Sequence, residues 1–122
     1  MAIVATVLVA LVAALHAWFL TLEMFLWEHP IGLKTFRNTK EKAAITAVLA
    51  KNQGLYNGFL VAGLVWGIAL ASMGAAEARS VETFFLGCVI VAGAYGAATV
   101  SPRIFVVQAV PAILALGTVW GA

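Results

Sequence analysis

Apolar residues occupy this chain in four long stretches. From Ala2 to Trp27 only Thr6, His16, Thr21 and Glu23 interrupt the run. A polar, lysine-rich segment follows over 28–53, and apolar character returns over 54–75, 81–100 and 104–121. Each run approaches the length that crosses a bilayer as a helix. The pattern predicts four membrane spans, with 28–53 as the one substantial extramembrane loop. Proline places two breaks, at His29-Pro30 and at Ser101-Pro102, because it lacks the donor that continues a helix. Asn38 followed by Glu41 resembles a capping box, so a helix is predicted to start there and run into the second span. Pro111 removes a backbone bond within the fourth span and is expected to kink it.

Composition agrees with the pattern. Hydrophobic residues make up 64% of the 122 positions and charged residues 10%, with mean hydropathy +1.05. Soluble domains carry about 25% charged residues. The expected fold is therefore a single all-α domain, an integral membrane four-helix bundle. The first run follows Met1 without a basic leader and is longer than a signal-peptide core, so it is expected to stay as a mature helix. Cys88 is the single cysteine and cannot form an intrachain disulfide; it reads as a packing residue.

Loop charge sets the expected orientation. Lys34, Arg37, Lys40, Lys42 and Lys51 lie in the first loop, Arg79 in the second and Arg103 in the third. The first and third loops share a side, so six basic residues oppose one, which makes that face cytoplasmic and both termini periplasmic. In a bacterium the location would be the inner membrane, as a multi-pass protein. The basic loop is short and explained by topology, so nucleic acid is not an expected partner.

Once the depth is assigned, the polar residues within the spans fall together near the cytoplasmic side. Glu23 lies close to that end of the first span, where a carboxylate must be paired, hydrated or protonated. His16, seven residues earlier, faces nearly the same way, about 10 Å deeper. Asn52 with Tyr56 and Gln53 with Asn57 form i,i+4 pairs on adjoining faces of the second span. Tyr95 with Thr99 on the third span and Gln108 on the fourth approach the same depth. These residues predict one polar cavity or network, with Glu23 and His16 as candidate catalytic groups. Asn52, Gln53, Tyr56, Asn57, Tyr95, Thr99 and Gln108, together with Glu23, are the candidate ligand-binding residues. A structural alternative is a hydrogen-bonded network that fixes helix register. The spacing of His16 and Glu23 is not that of two ligands on one metal, and no second span offers a histidine for haem, so neither metal nor cofactor is expected. Gly54 with Gly58 and Gly63 with Gly67 are small-xxx-small pairs that suit close packing of the chain's own helices, or a homo-oligomer. Trp27 and Trp120, near span ends, read as interfacial anchors.

Leu22-Glu23-Met24-Phe25, the stretch Asn52-Gln53-Gly54-Leu55-Tyr56-Asn57-Gly58-Phe59-Leu60 with Ala62-Gly63-Leu64, then Tyr95-Gly96 and Gln108 before Pro111-Ala112 resemble the bacterial membrane proteins grouped as domain of unknown function 1304. The resemblance covers essentially the whole chain, and Glu23, Asn52, Gln53, Tyr56 and Asn57 fall on its motif positions. It implies a small four-helix membrane protein and brings no activity with it.

Three functions compete on the residues alone. One is a pocket for a small amphipathic or lipid-soluble molecule, with or without a reaction at Glu23. Another is a proton-coupled carrier acting as an oligomer, and the third an accessory subunit of a larger membrane complex. No nucleophile elbow, phosphate loop or metal motif favours a particular reaction.

Overall fold

The computed structural model describes residues 2–121, and among these every regular element is helical. The order is α1 (Ala2–Met24), α2 (Pro30–Thr35), α3 (Lys40–Ser72), α4 (Ala78–Thr99), α5 (Pro102–Ile104), a π-helical segment (Phe105–Ala109) and α6 (Val110–Gly121). Four stretches are long and apolar enough to cross a membrane: Ala2–Met24, Lys40–Ser72, Ala78–Thr99 and Pro102–Gly121. The protein is thus an all-helical, multi-pass membrane protein. Two compact units divide the chain, one comprising Met1–Leu15 with Leu60–Ala122 and the other His16–Phe59.

The helix ends differ from the sequence-based expectation by a few residues, each for a local reason. Rather than running to Trp27, α1 stops at Met24. Phe25 and Leu26 both direct their amides at the Thr21 carbonyl, at 3.0 and 3.2 Å, and this shared acceptor ends the regular ladder. α3 does run unbroken from the loop into the second span, but its cap is Thr39 rather than Asn38. The Thr39 hydroxyl accepts from the Lys42 amide at 3.2 Å, while Asn38 Oδ1 accepts from the Thr39 amide at 3.0 Å. Glu41 therefore falls one position short of the reciprocal partner that a capping box requires.

Both α2 and α3 end in a Schellman motif. After α3 the Ala75 amide reaches the Leu70 carbonyl at 2.9 Å and the Gly74 amide reaches Ala71 at 3.1 Å, with Gly74 at φ 69°. After α2 the left-handed position is filled by Arg37 at φ 51°, a conformation that costs a residue with a Cβ about 1–2 kcal/mol.

In the first unit the core is built from four helical segments. Val9 and Val12 of α1, Leu64 of α3, Leu86 and Val89 of α4, and Ala112 and Ala115 of α6 are all fully buried. Small residues let these helices approach closely. A Cβ on Gly63 would collide with Phe85 Cε1, and one on Gly93 would stand 2.8 Å from Ala109 Cβ and 2.9 Å from Ala109 N. On the same face of α4, a Cβ on Gly96 would stand 2.8 Å from Ile104 Cγ2. Between those two contacts the fourth span winds as a π turn, in which the Val110 amide bonds the Phe105 carbonyl. Pro111 lies immediately downstream, so the expected irregularity takes the form of a widened turn. Trp120 donates its indole N–H to Thr83 Oγ1 at 2.9 Å, and the Arg79 guanidinium lies 4.9 Å from its ring centroid.

Candidate functional site

The second unit holds the end of α1, the loop, α2 and the first five turns of α3. Its helices pack closely at Gly54, where a Cβ would stand 2.5 Å from Met24 Cγ and 3.2 Å from Glu23 Cβ. One turn later, a Cβ on Gly58 would stand 3.0 Å from Leu20 Cδ1. These glycines bring the α3 backbone against α1, and the polar residues flanking them are carried into reach of Glu23. The loop is held separately. Trp27 donates to Thr46 Oγ1 at 3.2 Å and packs on Phe36 at 5.0 Å between ring centroids.

Glu23 is 3% exposed and accepts two hydrogen bonds, one on each carboxylate oxygen. Gln53 Nε2 donates to Oε2 at 2.6 Å and Asn57 Nδ2 donates to Oε1 at 2.5 Å. Gln53 and Asn57 are four residues apart on α3, so a single helical face supplies both donors. Asn57 is 9% exposed, whereas Gln53 lies on the exposed surface, so the cluster is sealed on one side and open on the other. Each amide directs one N–H at the carboxylate and keeps its second N–H and a carbonyl oxygen. What the cluster offers a ligand is therefore mainly acceptors, two amide carbonyls and the remaining lone pairs of Glu23, beside one N–H on each amide.

The other predicted residues occupy different surroundings. Asn52 and Tyr56 lie on the adjoining, exposed face of α3; Tyr56 is 60% exposed and packs on Phe59 at 6.0 Å. Among the described residues neither shares the Glu23 hydrogen bonds. His16 is fully buried, sets its ring edge-on to Phe19 at 5.3 Å and is engaged within the chain. Tyr95, Thr99 and Gln108 belong to the first unit. There Tyr95 is 72% exposed on α4, the Thr99 hydroxyl donates to the Tyr95 carbonyl at 2.7 Å, and Gln108 sits half-buried in the π segment with a partner inside the chain. No group of three metal-ligating side chains occurs among the described residues.

A second buried acid lies on α4. Glu82, near the start of α4, falls inside the predicted span over 81–100, in which no acid is a candidate site residue, and it is only 6% exposed. The signal was present in its spacing, because Ala78, Glu82, Leu86, Val89 and Gly93 form the buried stripe of α4.

Comparison with known proteins agrees with the family resemblance. The family model described as a protein of unknown function, DUF1304, matches residues 10–120. The uncharacterized protein YpaA of Lactococcus lactis subsp. lactis (strain IL1403) is 33% identical over 114 residues, which cover 91% of this chain and 92% of that protein. No solved structure matches the chain. With a family match across nearly the whole sequence and a relative of almost the same length, this chain belongs to the DUF1304 family.

Proposed function

We propose that the Glu23, Gln53 and Asn57 cluster binds a small lipid-soluble molecule whose polar end donates hydrogen bonds. The observation that carries this reading is the pairing of a buried carboxylate with two amides, Asn57 buried and Gln53 on the exposed surface. A buried acid used only to hold helices together is an expensive choice, because burying a charge costs far more than burying an amide. Here a glutamate stands where glutamine would preserve the shape. Asn52 and Tyr56 on the neighbouring face, and Tyr95, Thr99 and Gln108 elsewhere, are retained as secondary candidates. Glu23 is the centre on which any acid or base chemistry would depend, with His16 as the buried group behind it on α1.

Glu23→Gln tests the proposal. The variant should unfold within a few degrees of the wild type while losing a molecule that co-purifies with the wild type from native membranes, as read by mass spectrometry. If the ligand content is unchanged and the melting temperature equal or higher, Glu23 is interhelical glue and the proposal fails.

The orientation belongs to the same proposal: the cluster opens toward the cytoplasmic leaflet of the bacterial inner membrane, with both termini periplasmic. This rests on the six-to-one distribution of basic loop residues. Reporter fusions at Gly121 should be active only as a periplasmic enzyme, and fusions between Lys34 and Lys42 only as a cytoplasmic one. The reverse result would place the cluster in the other leaflet.

A further inference from the structure

We propose that a second site surrounds Glu82, in the recess at the turn joining α3 to α4, and that it binds a primary ammonium group. The stem of Glu82 lies directly over Gly67, where a Cβ would stand 2.6 Å from Glu82 Cγ. That glycine clears the space in which the acid is buried. Among the described residues nothing donates a hydrogen bond to its carboxylate. Arg79, one turn earlier on α4, holds its guanidinium over Trp120 instead. Yet no buried side-chain oxygen among the described residues is both sealed off and without a partner. The Glu82 oxygens must therefore face open space, and the recess they line, of about 450 Å³, provides it.

The lining selects the chemistry. Thr6 and Ser72 line the same recess and bring hydroxyls to it, and Ser72 has already committed its proton to the Ala69 carbonyl at 2.7 Å, so it presents lone pairs. A carboxylate removed from water without a donor is costly, and its complement is a cation that carries several N–H bonds. A primary ammonium has three donors, enough for Glu82 and both hydroxyls, whereas a trimethylammonium has none. One carboxylate is too few for a divalent metal, which takes several oxygen ligands. The volume falls within the range of small-molecule sites. α3 ends at Ser72 and α4 begins at Ala78, so the recess lies where spanning helices terminate, at headgroup depth. Both an ethanolamine phospholipid and a free amine carry the required group.

The test uses the full chain in lipid nanodiscs of phosphatidylethanolamine or phosphatidylcholine, which differ only in methylation of the headgroup nitrogen. Native mass spectrometry of the wild type should find about tenfold more retained ethanolamine lipid than choline lipid, the scale of one charge-assisted hydrogen-bonded contact. Thermal unfolding should shift upward in the same order. E82Q should abolish the preference and S72A should weaken it. If free ethanolamine added to choline-lipid discs reproduces the whole shift, the ligand is a soluble amine bound by the same chemistry. Equal retention of the two lipids by the wild type, with no response to free ethanolamine, overturns the proposal without depending on any variant folding. A folded E82Q protein that keeps the preference overturns it equally.

Discussion

Asn57→Leu is expected to destabilise the protein by about 3 kcal/mol, because it strips one donor from a carboxylate that is 3% exposed and leaves an oxygen that water cannot reach. Gln53→Leu should cost much less. Gln53 sits on the exposed surface, so water can take its place on the other oxygen. A double-mutant cycle separates the hydrogen bond from simple packing loss: in a Glu23→Leu background the Asn57→Leu penalty should nearly vanish, since no buried acceptor remains to be deprived. Denaturation in detergent measures all four proteins. Equal penalties in the two backgrounds would mean that Asn57 acts through its shape alone.

The second large effect lies in α4. Gly93→Val should destabilise by several kcal/mol and Gly93→Ala by about 2 kcal/mol, because the new Cβ meets the Ala109 backbone nitrogen as well as its Cβ, and a backbone cannot swing aside as a flexible side chain does. Gly87→Ala on the same helix is the matched control. A Cβ there meets nothing within 4 Å, so the change should stabilise by up to about 1 kcal/mol through helix propensity. Thermal melts of the three variants check the contrast. If Gly93→Ala and Gly87→Ala melt alike, close approach at Gly93 is not a source of stability.

Hydropathy made the four spans legible because a bilayer demands long apolar runs whatever the packing inside. It could not show which side of each helix faces inward, since in a membrane protein the lipid side and the core side are both apolar. Leu86 is fully buried and Phe84 is 65% exposed, although both read as ordinary span residues. The same ambiguity governs the site. The i,i+4 rule offered two pairs on α3, Asn52 with Tyr56 and Gln53 with Asn57, and nothing in their spacing says which meets Glu23. The choice is made by Gly54 and Gly58, whose missing side chains fix the face that α3 turns toward α1. Glu82 shows the same ambiguity. Hydropathy places it within the span over 81–100 without saying which way it faces, and only the buried stripe of α4 reveals that it points inward.

The π segment of the fourth span carries a consequence for chain length. Ile104 and Ala109 both abut glycines on one face of α4, although they stand five residues apart and five residues of regular α-helix would leave them about 140° out of line. The wide turn between them absorbs one surplus residue. It behaves as an insertion that the helix has accommodated, so loss of one residue between Phe105 and Gln108 would restore an unbroken helix with both contacts in register. The same loss between Ala109 and Val119 would rotate everything beyond it by about 100° and turn part of the buried face toward lipid.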